Sequence, residues 1–95
     1  MMAPFYEILC SLSNWLVKRG IKKENAQKYI SSLFLALSED AFNHNKNLKR
    51  LVTESQTPGG LNEQAVKDLR KAGFYKLLEK TSNRIIKRLN KSQSN

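Results

Sequence analysis

The chain has almost none of the residues that carry covalent or metal chemistry. Its 95 residues include one cysteine, Cys10, and one histidine, His44. A lone cysteine excludes an internal disulfide, and one Cys with one His falls short of the side chains that hold a zinc ion. No metal site is expected, and Cys10 reads as a small buried side chain rather than a reactive thiol. Long apolar runs are missing as well. The longest, Leu33-Phe34-Leu35-Ala36-Leu37, is far below the roughly 20 residues that span a bilayer. The N-terminus also lacks a basic stretch followed by a long apolar one, so neither a signal peptide nor a membrane partner is expected, and the expected setting is cytoplasmic. Only two prolines and four glycines interrupt a composition that is 40% apolar, which suits one small ordered domain rather than a disordered chain.

Acidic side chains are scarce. Eight Asp and Glu face seventeen Lys and Arg, for a net charge of +9, and residues 61–95 hold nine of the basic and three of the acidic residues. Clustered cations suit phosphate neutralisation. However, Lys76, Lys80, Arg84, Lys87, Arg88 and Lys91 recur at helical spacing with no aromatic residues among them, so base stacking has no platform. A solvated helix face explains the pattern better, and nucleic acid ranks last among the expected partners.

What is present in quantity is amphipathic helix. Ala3 to Arg19 reads as a first helix on Phe5, Ile8, Leu9, Leu12 and Leu16, broadened by Trp15, with Gly20 as its stop. A second runs from about Lys23 to Asn43 on Ala26, Tyr29, Ile30, Leu33, Phe34, Leu37 and Ala41. Around Leu33 to Leu37 it is apolar nearly all round, which calls for burial on more than one side. A second subunit or a second domain is implied, and Ile30, Leu33, Phe34 and Leu37 are the residues expected at a dimer interface. A polar turn at His44 to Lys46 leads to a short third helix on Leu48, Leu51 and Val52. A fourth spans Leu61 or Asn62 to Ala72, with Ala65, Val66 and Leu69 inward and Gly73 at its end. A fifth runs from Phe74 to about Asn90, leaving residues 91–95 as a polar tail. No segment alternates with period two, so the class is all-α.

Between the third and fourth helices stands Thr57-Pro58-Gly59-Gly60-Leu61-Asn62. A glycine turn feeding a helix N-terminus aims unpaired N–H groups outward, and the helix dipole favours an anion there. Thr57 and Asn62 offer short polar contacts at either side. A plain tight connection between helices remains the alternative, and no Gly-Lys-Ser/Thr follows that would make a Walker motif.

The stretch "TPGGLNEQAVKDLRKAGF", Thr57 to Phe74, resembles the signature of the pyrroline-5-carboxylate reductases, a Ser/Thr-Pro-Gly-Gly turn opening a helix that ends in Gly-Phe or Gly-Val. "MAPFYEILCSLSNWLVKRGI", Met2 to Ile21, is similar to the first long helix of the C-terminal dimerisation domain in that family. The resemblance covers about Met2 to Leu89. It implies an all-α bundle of about five helices, intertwined in a homodimer and similar to the C-terminal domain of 6-phosphogluconate dehydrogenase, over residues 1–90. It also implies an N-terminal Rossmann domain binding NADP or NAD, which this chain lacks, so the chain is expected to bind no cofactor alone and to be inactive as given. The turn from Thr57 to Asn62 would receive the carboxylate of a small substrate, in a reaction of the proline-making type. One departure bears on the chemistry. Family members usually carry Thr at the second position after Gly-Gly, credited with assisting protonation of the ring nitrogen, and here that position is Asn62. An amide is a poor proton relay, which leaves the catalytic residue unassigned. The alternatives are a helical homodimer with no retained chemistry and a basic nucleic-acid-binding module.

Overall fold

The computed structural model describes residues 1–44 and 47–93. Among these residues five helices follow one another: α1 Met2–Lys18, α2 Lys23–Asn43, α3 Leu48–Glu54, α4 Leu61–Lys71 and α5 Phe74–Gln93. No strand occurs among the described residues, and the all-α class stands. α5 continues to Gln93, past the end expected near Asn90. Two residues of the expected turn, Asn45 and Lys46, and two of the expected tail, Ser94 and Asn95, lie outside the described residues. Among the described residues no helix is long and apolar enough to cross a membrane. The chain divides into two compact units, Met1–Leu51 and Val52–Asn95.

The first unit is built on the α1–α2 hairpin. α1 stops in a Schellman arrangement, in which the Gly20 N–H donates to the Val17 carbonyl and the Ile21 N–H to the Leu16 carbonyl. Gly20 takes φ +101°, a value that costs a residue with a Cβ. α1 and α2 then pack on each other, and the Phe5 and Phe34 rings meet edge to face with centroids 6.2 Å apart. The residues buried there are Ser13, Ala26 and Ile30. Two of the three are small, which lets the helix backbones approach closely. The expected apolar stripe of α1 flanks this contact, with Ile8, Leu9 and Leu16 half-buried and Phe5 and Leu12 more open.

Two sequence expectations fail in this unit. Cys10 is exposed, not buried: α1 turns Ser13 to α2 and leaves Cys10 at the surface, where its Sγ accepts a long hydrogen bond from Asn14 Nδ2 at 3.6 Å. Tyr29, placed on the inward face of α2 by spacing, is 60% exposed, because the contact with α1 is centred on Ala26 and Ile30. Trp15 is also open, with the Arg19 guanidinium 4.9 Å from its ring centroid as a cation–π pair.

The second unit packs α4 against α5. Among its described residues none is fully buried, although Val66, Phe74, Thr81 and Ser82 are partly covered. Of the residues expected inward on α4, Val66 is half-buried, Leu69 is 42% exposed and Ala65 is exposed. A helix pair of this kind gains little hydrophobic stabilisation by itself, since that gain comes from well-covered large side chains.

Candidate functional site

The turn before α4 is shaped by its two glycines. The Gly60 N–H donates to the Thr57 carbonyl at 2.7 Å, closing a four-residue turn with Pro58 and Gly59 at its centre. Pro58 presets the first central position, and Gly59 supplies φ +74° at the second, the combination that a type II turn requires. Gly60 is needed for a different reason. A Cβ on it would sit 2.9 Å from the Thr57 carbonyl oxygen and 3.3 Å from the Thr57 Cβ.

Gly60 is the N-cap of α4 and, having no side chain, offers no cap hydrogen bond. The first bond along the helix is from the Gln64 N–H to the Gly60 carbonyl at 3.1 Å. The amides of Leu61, Asn62 and Glu63 therefore have no acceptor within the helix. Leu61 is 85% exposed, so this end of α4 faces open space. Three consecutive donors thus stand at the positive end of a helix dipole, where the local field favours negative charge.

Two side chains define the turn: Glu63, which the sequence pattern did not single out, and Asn62, which it placed here as a polar contact for a ligand. Glu63 reaches back, and its Oε1 accepts from the Gly59 N–H at 3.2 Å. Lys67, one helical turn on, donates to the same oxygen at 3.2 Å. The Gly59 hydrogen bond, and after it Lys67, holds the Glu63 carboxyl below its ordinary range. The spacing of Glu63 three residues after the N-cap is that of a capping box, and it was the signal available for finding it. Asn62 is the second. Its Nδ2 donates to the Ser55 carbonyl at 2.9 Å, tying the start of α4 to the chain just after α3. Its Nδ2 is thus a structural clip here, and the Oδ1 of the same amide can only accept.

An open depression of about 200 Å³ lies beside the turn, lined by Gly59, Gly60, Glu63, Gln64, Lys67 and Asp68. Complete small-molecule sites measure roughly 300–1,000 Å³. The depression has the size of one wall of a site. Thr57, Pro58, Gly59 and Leu61 stand at the surface around it, and Gly60 is half-covered.

The four residues expected at a dimer interface all lie on α2 in the other unit. Ile30 is 6% exposed and already buried within its own chain, whereas Leu33 and Leu37 are open and Phe34 is half-covered. Leu35 and Phe42, which the apolar pattern did not single out, are more exposed still, at 62% and 74%. A family model described as pyrroline-5-carboxylate reductase dimerisation matches residues 1–92. No curated protein and no solved structure matches the chain.

Proposed function

The chain belongs to the pyrroline-5-carboxylate reductase dimerisation family, and on that premise we propose that it is the dimerising, substrate-side part of a reductase, with the turn at Thr57 to Asn62 receiving the substrate's carboxylate. One observation carries the reading: the consecutive amides of Leu61, Asn62 and Glu63 open at the N-terminus of α4 behind a residue with no side chain. A carboxylate there gains charge-assisted hydrogen bonds without displacing a helix bond. Lys67 offsets the negative charge of Glu63 nearby, so an incoming anion is not met by an unpaired carboxylate.

The nicotinamide cofactor, NADP or NAD, belongs in this reading to a separate Rossmann domain of the whole protein. The chain's own Gly59-Gly60 turn does not fit a dinucleotide. It follows α3 rather than a strand, and the strand-turn-helix unit with its third glycine is what brings a pyrophosphate onto the backbone. Reduction of a cyclic imine in the proline-making direction is the activity proposed for the whole protein, in a cytoplasmic setting. The role left to this chain is to bind, orient and pair.

The test is a titration of the ¹⁵N-labelled chain with L-proline as carboxylate probe. The amides from Gly59 to Gln64 are expected to shift saturably, and prolinamide, which lacks the carboxylate, is expected to leave them in place. Equal responses to the two compounds, or none to either, overturn the carboxylate assignment. A second reading, a helical homodimer without retained chemistry, is favoured by one contact: the Asn62 amide is committed to the Ser55 carbonyl where the family resemblance implies a hydroxyl. Dimerisation with no response to L-proline is the result it predicts.

A further inference from the structure

Charge is segregated along this basic chain in a way the carboxylate site does not use. Residues 1–17 and 29–44 contain Glu7, Glu39 and Asp40 and no Lys or Arg. The hairpin brings these two stretches together at its open end, as the Phe5–Phe34 contact records. Residues 80–93 are the converse, with Lys80, Arg84, Lys87, Arg88 and Lys91 and no Asp or Glu. The acidic end of the hairpin also carries an apolar groove. One part, about 210 Å³, is lined by Phe5, Leu9, Ser31, Phe34, Leu35 and Ser38. Ser38 continues it into a second depression with Phe42 and, on the rim, Glu39.

The C-terminal half of α5 has the complementary form. Ile85, Ile86 and Leu89 share one face there, and Leu78, two turns before Ile85, extends that face toward the start of the helix; the four are 41–56% exposed. Ser82 lies in the same stripe with its hydroxyl satisfied by the Leu78 carbonyl at 2.8 Å, so it presents no unmet donor to an apolar partner. Arg84 and Arg88, one turn apart, border that stripe and are exposed. An amphipathic helix with anchors at this spacing is what an apolar groove of a helix pair accommodates.

We propose that the groove at the open end of the α1–α2 hairpin receives the C-terminal half of α5 from a second copy of this chain, with Glu39 and Asp40 facing Arg84 and Arg88 of that copy. The proposal rests on the family's dimerisation and adds which faces meet and which charges set their register. Opposite charges at the rim steer the correct pairing more than they hold it, and the apolar stripe supplies the adhesion. Two-fold symmetry makes the contact twice per dimer, which doubles the effect of each substitution.

That symmetry provides the experiment. One chain carries Glu39→Lys and Asp40→Lys, another Arg84→Glu and Arg88→Glu, and each is sedimented alone and in equal mixture. Alone, each has like charges across both contacts and is expected to dimerise at least tenfold more weakly than the parent. Mixed, opposite charges meet at both contacts, and the heterodimer is expected to regain parental affinity. Variants that dimerise like the parent overturn the proposal. So does a mixture that stays monomeric, which would mean that α5 pairs with the hairpin of its own chain. A monomeric parent overturns it along with the dimer, while the L-proline titration decides the carboxylate reading separately. Should a reversed chain lose helix by circular dichroism, Glu39→Gln with Asp40→Asn takes its place. The dimer Kd is then expected to depend less on salt than the parent's, and an unchanged salt dependence counts against the pairing.

Discussion

Glu63 shows how one side chain can hold a backbone turn and report on it. Its carboxylate accepts from the Gly59 N–H and from Lys67, and both contacts favour the charged form, which is why its pKa falls below the ordinary glutamate value. A carboxyl whose folded pKa is depressed contributes stability that is complete above its unfolded pKa and is lost as pH falls through the folded value. Acidification below about pH 4.3 should therefore loosen the turn. The Gly59 amide should report this as a titration whose midpoint lies below that of a free glutamate, and Glu63→Gln should abolish it. A midpoint at the ordinary value would mean that the Gly59 contact does not persist in solution. The same residue marks a limit of legibility. Thr57, Pro58, Gly59 and Gly60 could be read from the string because their backbone needs are fixed by residue type. The partners of Glu63 and Asn62 depend on where the chain around Ser55 runs, and no local pattern states that.

At the scale of elements, the helices were legible because each is written in a repeated spacing with a physical stop: Gly20 after α1, the Pro-Gly-Gly turn before α4, Gly73 between α4 and α5. Which face of each helix would be covered was less so. Periodicity locates an apolar stripe but gives no weight to small residues within it, and the α1–α2 contact is centred on Ser13 and Ala26. Hydrophobicity alone ranks Leu12 and Trp15 above Ser13, yet it is the small side chain that is buried. Ala26 has no exposed surface, so Ala26→Leu must push the helices apart or strain rotamers, at a cost of roughly 1–3 kcal/mol. Trp15 lies in α1 and follows this unit by fluorescence. The expected result is an earlier urea midpoint with an unchanged slope, and a midpoint equal to the parent's would show that the contact has slack.

For the molecule as a whole, the balance between covered and uncovered apolar surface decides how the chain exists in solution. Only Ala26 and Ile30 form a buried apolar core among the described residues, while Leu35, Phe42, Ile86 and Leu89 are each more than half exposed. Apolar surface on this scale, carried by a chain of a dimerisation family, is expected to couple folding to association, as in obligate dimers without a stable monomer. Stability must then depend on protein concentration. With about 0.7 kcal/mol of unfolding enthalpy per residue, two chains of 95 residues give about 130 kcal/mol, from which a tenfold rise in concentration lifts Tm by about 4 °C. Differential scanning calorimetry over two decades of concentration measures this directly. A Tm that stays constant would mean that each chain folds alone and that its open apolar faces contribute nothing to folding. A rise of the expected size that disappears in the Arg84→Glu, Arg88→Glu chain and returns on mixing with its Glu39→Lys, Asp40→Lys counterpart would tie the stability of the fold to the α5 contact between copies.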